Sequence, residues 1–154
     1  MEFTQGVRFD SLGLSPEIMR AIAHRNLEVS TPVQAGCIPP MMDWQDVIAK
    51  APTGTGKTFA YGIPIVEHID PEDESVQAVI LAPTRELAIQ ITGELRDIAA
   101  FKPGVRSVCL YGGQPIGKQI DTLKKRPQIV VATPGRLSDH MKRRTVKVDT
   151  VQTV

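Results

Sequence analysis

Two spacings of apolar residues alternate along the chain. Ser15-Pro16-Glu17 reads as a helix start: Ser15 can cap, Pro16 suits the first turn and Glu17 favours the dipole. Ile18, Met19, Ile22 and Ala23 then recur at helical spacing. Before them, residues 1–15 form a lead-in whose Phe9 and Leu12 can cover apolar surface. A second start, Ser30-Thr31-Pro32, opens a segment that contains Gln34 and ends at Pro39-Pro40. Val47-Ile48-Ala49 predicts a short strand, and Phe59 to His68 a helix. Val76 to Ala82, interrupted only by Gln77, predicts a strand buried on both faces. Arg85 to Phe101 carries Leu87, Ile91, Leu95 and Ile98 at amphipathic helical spacing. A strand over Val105 to Leu110, a helix over Ile116 to Leu123, a strand over Gln128 to Ala132 and a helix over Pro134 to Arg143 follow. Val148 to Val154 alternates like a strand just beginning. Strands alternating with helices imply an α/β fold with a parallel sheet flanked by helices.

The first strand runs into Ala51-Pro52-Thr53-Gly54-Thr55-Gly56-Lys57-Thr58. Strand, Gly-rich turn, Gly-Lys-Thr and helix are the context of a phosphate-binding loop. Gly54 and Gly56 can take backbone angles closed to other residues, so that successive N–H groups turn inward around an anion. A helix starting near Lys57 adds unsatisfied N–H groups and the positive end of its dipole. Lys57 is placed to meet the β- and γ-phosphates and the Thr58 hydroxyl to hold Mg²⁺. The first Gly of the general pattern is Ala51 here. An ordinary Gly/Thr turn before a helix is the bland alternative, and the flanking context argues against it. This is a nucleotide site.

Composition narrows the class. The 154 residues are enough to bury a core, and 42% apolar content is that of a globular chain. No apolar run approaches membrane-spanning length, and Met1 to Gln5 lack the pattern of an export signal, so a cytoplasmic location is expected. Cys37 and Cys109 lie far apart in no metal-like spacing and read as reduced thiols. The net charge of +1 assigns nothing, so any nucleic-acid contact must come from local arrangement. His24, His68 and His140 are read as surface residues, and Trp44 as packing over the loop. The basic clusters Lys124-Lys125-Arg126 and Lys142-Arg143-Arg144 are equally well read as solvated helix ends or as attractors of RNA.

In a parallel α/β sheet, ligands gather beyond the carboxyl ends of the strands. Three predicted strands end in Pro83-Thr84-Arg85-Glu86, Tyr111-Gly112-Gly113-Gln114 and Thr133-Pro134-Gly135-Arg136. A hydroxyl, helix N-terminal N–H groups and a guanidinium suit a phosphodiester backbone. Gly112-Gly113 lets a backbone approach closely. Each turn alone is equally a capped helix; their shared placement on one sheet edge favours a ligand.

Ala51 to Thr58, Pro83-Thr84-Arg85-Glu86-Leu87-Ala88, Gly112-Gly113 and Thr133-Pro134-Gly135-Arg136, in this order and spacing, resemble the first RecA-like domain of DEAD-box RNA helicases. Upstream, Asn26 to Gln34 resembles that family's adenine-sensing Q motif, with Phe9 at the place of its isolated aromatic. The resemblance runs from about Phe9 to the end. It implies a P-loop NTPase (RecA-like) domain, with residues 1–45 as Q-motif region and lead-in helices and 46–154 as a partial ATP-binding core. By the same resemblance Gln34 reads the adenine, Phe9 packs against the Q-motif segment, and Thr53, Gly54, Thr55, Gly56, Lys57 and Thr58 hold the phosphates of ATP. Lys57 and Thr58 are the catalytic candidates, with Thr58 on Mg²⁺. Pro83, Thr84, Arg85, Gly112, Gly113, Thr133, Pro134, Gly135 and Arg136 grip one RNA strand by its backbone, without sequence preference. Asn26 stands where the family's motif opens with Gly, and Asn tolerates left-handed angles. Leu27 stands where many members carry an aromatic.

The resemblance also marks what the sequence lacks. The Asp-Glu-Ala-Asp and Ser-Ala-Thr motifs and the second RecA-like domain are not in it, so the RecA-like domain is incomplete. Hydrolysis needs an acidic residue to hold Mg²⁺ and position water, so the expected activity is ATP-dependent RNA helicase for the parent protein and none for the isolated chain. In the family's strand order the two missing strands separate the phosphate-loop strand from the other three. The expectation is therefore a truncated chain that rearranges, self-associates through unpaired edges, or belongs to a longer product. The alternative function is a non-catalytic nucleotide-binding module acting through partner or RNA contact. A small-molecule kinase has no need of Gln34 or of the two Arg-bearing turns.

Overall fold

The computed structural model describes residues 5–52, 54 and 56–154. The expectations placed on Thr53 and Thr55 lie outside the described residues. The chain divides into two compact units: one takes the described residues up to His68 with Asp97–Pro103, the other Ile69–Arg96 with Gly104–Val154.

The first unit is helical. After a 3₁₀ turn over Phe9–Ser11 come α1 (Pro16–His24), α2 (Pro32–Met42) and α3 (Lys57–His68). Ser15 caps α1 as its sequence predicts, accepting from the Ile18 N–H, while its own N–H and hydroxyl donate to the Glu67 carboxylate at 2.8 and 2.6 Å. The lead-in is stitched antiparallel to the segment before α2. Phe9 N–H donates to the Glu28 carbonyl at 3.0 Å and Ser30 N–H to the Val7 carbonyl at 2.7 Å. A Cβ on Gly6 would strike the Ser30 carbonyl, so only glycine permits this approach. Asn26 has φ 58°, the left-handed conformation its residue type tolerates.

Helix α2 does not stop at Pro39-Pro40. Proline lacks a donor but keeps its carbonyl, and Asp43 N–H closes on Pro39 and Pro40 while Gln45 N–H closes on Pro40 at 2.9 Å. The predicted strand over Val47-Ile48-Ala49 does not form. Val47 and Ala51 pack on the cluster of Val33, Cys37 and Ala60, but Ile48 is 94% exposed. Ile48, Ala49 and Lys50 are all exposed, and the run has no ladder because no described segment pairs with it.

The second unit carries the sheet: β1 (Ala78–Leu81), α4 (Arg85–Ile98, its last turn counted with the first unit), β2 (Ser107–Leu110), α5 (Ile116–Leu123), β3 (Ile129–Ala132) and α6 (Pro134–Lys142). The strands are parallel in the order β1-β3-β2. Val79, Val108, Leu110, Val130, Ala132, Leu137 and Val146 form its core. In α4 the buried face runs through Ala88, Ile91, Thr92, Leu95 and Ile98, while Leu87 is exposed. The stripe thus starts one residue later than the sequence pattern suggests. Thr153 makes a parallel bridge to Ala78 and accepts from Val79 N–H at 2.9 Å, so the terminal valine run begins a strand along β1.

Candidate nucleotide and nucleic-acid sites

In the first unit, the phosphate loop opens into α3, whose first residue is Lys57. Gly54 and Gly56 have φ 82° and 76°, the left-handed conformation that turns N–H groups toward an anion. Lys57 is exposed and Thr58 half-buried. A glycine-turned loop at a helix N-terminus with an exposed lysine fits the phosphates of a nucleotide. Among the described residues no group of three or more His, Cys, Asp or Glu is placed to hold a metal ion.

Gln34 reaches this loop. It lies at the third position of α2, where it completes a reciprocal cap: Gln34 N–H donates to the Thr31 hydroxyl and Thr31 N–H donates to Gln34 Oε1 at 2.9 Å. The cap orients the amide, and Gln34 Nε2 donates to the Gly56 carbonyl at 3.1 Å. The segment ahead of α2 and the phosphate loop therefore meet through one buried side chain. Phe9 is fully buried, and its backbone anchors the same segment. Trp44 stacks face to face on His68, with ring centroids 3.7 Å apart.

In the second unit, register levels the strand ends: Leu81, Ala132 and Leu110 lie side by side. The turns that follow are therefore neighbours. Ala82 N–H donates to the Ala132 carbonyl and Thr133 N–H to the Leu110 carbonyl, both at 3.0 Å, which carries the ladder into these turns. Thr84 accepts from Leu87 N–H at 3.2 Å and caps α4, leaving its own proton to donate. The Arg85 guanidinium lies 5.2 Å from the centre of the Tyr111 ring, and Pro83, Thr84 and Arg85 are exposed. Gly113 has φ 88°. A Cβ added to Gly112 or Gly135 meets nothing within 4 Å, so neither glycine is there to fit its own chain; both leave a surface another backbone can approach. Thr133 precedes Pro134 at the start of α6 and makes no side-chain cap bond.

Arg136 is turned inward rather than outward, with its side chain 15% exposed. Its Nη1 donates to the Gln114 carbonyl at 3.1 Å and to Gln119 Oε1 at 3.3 Å. Gln119 Nε2 donates to the Tyr111 carbonyl at 2.8 Å and to Gln114 Oε1 at 2.9 Å, leaving Oε1 as the accepting end. That oxygen also meets His140 Nε2 at 2.9 Å, so Nε2 carries a proton, and His140 Nδ1 meets the Thr145 hydroxyl at 2.8 Å. His140 is thus a fully buried residue, not a surface one. Burial pushes its pKa down, Arg136 and Arg143 add to the shift, and Asp139 opposes it. The sequence offered one signal: Gln119 sits among Ile116, Ile120 and Leu123 on the apolar face of α5.

The parallel sheet and the glycine-turned loop define the class, a P-loop NTPase domain of RecA-like fold. The chain matches the description "DEAD/DEAH box helicase" over residues 31–154. It is 50% identical to the DEAD-box ATP-dependent RNA helicase CshA of Bacillus subtilis over 96% of its length, and 51% identical to that of Geobacillus kaustophilus over 95%. It covers 30% and 31% of those proteins, so it spans about a third of the curated relatives it matches. A crystal structure of a DEAD box protein from Methanococcus jannaschii superposes with a TM-score of 0.88 at 36% identity, covering 96% of this chain and 40% of that one. The chain belongs to the DEAD/DEAH box helicase family.

Proposed function

We propose that this chain is the ATP-binding and RNA-backbone-binding part of an ATP-dependent RNA helicase. The observation that carries the reading is the hydrogen bond from Gln34 to the Gly56 carbonyl, which couples the base-reading segment to the phosphate loop. In this reading Gln34 presents its amide to the adenine, Phe9 supports that segment from behind, and Thr53 to Thr58 surround the phosphates. Lys57 pairs with the β- and γ-phosphates. Mg²⁺, brought with the nucleotide and held on the protein by Thr58, would neutralise charge on the phosphate oxygens. The second unit takes one RNA strand along Pro83-Thr84-Arg85, Gly112-Gly113 and Thr133 to Arg136. Exposed Arg85 and the open glycine surfaces support a sequence-independent grip.

Residues 1–45 act as the base-sensing lead-in and 46–154 as the partial ATP-binding core. The acidic motif expected to position the attacking water is not in this sequence, so the proposal extends to binding without turnover by this chain itself. Self-association would use the outer edge of β2, which pairs with no further described strand, whereas β1 is already bridged by Thr153. RNA as ligand and free Cys37 and Cys109 support a cytoplasmic place of action. No described helix is long and apolar enough to cross a membrane.

Titration with a fluorescent adenine nucleotide and Mg²⁺ tests the reading. Binding by the unmodified chain that is lost in both Gln34→Ala and Lys57→Ala is expected. Binding that survives Lys57→Ala would contradict the phosphate assignment.

A further inference from the structure

Four side chains of the second unit form one closed polar network: Arg136, Gln119, His140 and Gln114. Gln119 and His140 are fully buried, and an apolar core would accept Leu and Phe at these places with no groups to satisfy. What the network does instead is join two strand-end turns. Gln119 holds the Tyr111 carbonyl and Gln114, which bracket Gly112-Gly113, and through Oε1 it holds Arg136 of the Thr133–Arg136 turn. Both Nη1 protons of Arg136 are thereby assigned, and its Nε faces Asp139 Oδ2 at 4.0 Å. The Nη2 edge is the part of the guanidinium outside these contacts.

We propose that Gln119 and His140 are positioning residues for the RNA grip, holding Arg136 and the Gly112-Gly113 turn as one body and setting which edge of Arg136 a phosphate meets. The inference rests on the RNA-binding reading above. His140 donates from Nε2 to Gln119 Oε1 and is itself held at Nδ1 by Thr145, so the amide that orders both turns cannot rotate without breaking a buried bond. Arg85 lies outside the network, its guanidinium over Tyr111, and supplies an independent phosphate contact.

The test uses the complete chain, a fluorescent oligouridylate and titrations at several salt concentrations. Gln119→Met keeps the volume and removes the hydrogen bonds; it should weaken RNA binding about three- to tenfold, the size expected for losing one or two such bonds. It should also lower the salt slope by about one, the signature of one lost phosphate contact. Added to Arg136→Ala it should cost nothing more, because both changes remove the same contact. Losses that add, or an unchanged salt slope, would overturn the proposal, since a general loosening of the fold would weaken RNA binding whether or not Arg136 is present. Should Gln119→Met melt far below the unmodified chain, His140→Phe enters the same cycle. In the unmodified chain the imidazole ¹⁵N resonances of His140 should show Nε2 protonated and shift on adding RNA; an unmoved spectrum with RNA bound contradicts the proposal. If Arg85→Ala weakens binding and Gln119→Met does not, the positioning role fails and the RNA grip stands. If neither Arg85→Ala nor Arg136→Ala matters, the RNA grip itself fails.

Discussion

Single residues carry most of the chemistry, and their neighbours decide what each can do. Gly56 has φ 76°, and a Cβ there would run into Gln34 Nε2. Gly56→Ala therefore forces a left-handed alanine, costing roughly 1–2 kcal/mol, and breaks the Gln34 contact as well. Thermal unfolding should fall by several degrees and nucleotide affinity by more than Gln34→Ala alone produces. His140 gives a pH prediction with a definite sign. Burial lowers its pKa below the ordinary 6.5, so as pH falls below that value the unfolded chain takes up a proton that the folded chain refuses. Stability is complete above about pH 6.5 and declines as pH drops toward the lowered folded value. Arg136 and Arg143 reinforce this sense, and Asp139 opposes it. Urea titrations at pH 8 and 5.5 should show the decline, and His140→Phe should flatten part of it. Sequence alone placed His140 on the surface because its partner Gln119 comes from another helix, and Thr145 lies past the end of α6. No spacing rule links them.

At the scale of elements, local signals were legible wherever the partner was local. Ser15 and Thr31 cap the helices they introduce, and α5 spans the residues its periodicity marks. The reciprocal cap makes Thr31 an aiming device for Gln34. Thr31→Ala should cost about 1 kcal/mol of stability and weaken adenine binding while leaving Lys57 in place. Nucleotide titration beside a melting curve separates the two effects. A strand was legible where its distant partners are present, as for β1, β2 and β3, and misread where they are not. Val47-Ile48-Ala49 has the composition of a strand, but a strand exists through its ladder, and none is offered to it here. Hydrogen exchange should accordingly be fast at Ile48 and slow at Val130 and Val131 of the central strand β3. Equal protection at both places would mean that Ile48 pairs in solution with a segment such as a second copy of the chain. Helix α2 outran its prolines for a related reason: the turn is closed by carbonyls, which proline retains.

For the whole molecule, the order of the motifs along the chain carried more information than any one of them. Gln34 beside the glycine-turned loop and the three leveled turns of the sheet support the proposed ATP and RNA assignments together, where each alone would be ambiguous. Family membership rests on the match over residues 31–154 and the high identity to its relatives, while the chain spans about a third of their length. The division into two units gives the proposed ligands separate homes: the nucleotide in the first and RNA in the second. The claim most exposed to refutation is that Gln34 selects the base. Competition of ATP against GTP for the Mg²⁺-dependent site measures it directly, in the unmodified chain and in Gln34→Ala. A preference for ATP of at least about tenfold is expected, the worth of one to two hydrogen bonds, which Gln34→Ala abolishes while phosphate-dependent binding persists. Equal affinity for the two nucleotides in the unmodified chain, or a preference that Gln34→Ala leaves intact, would contradict it.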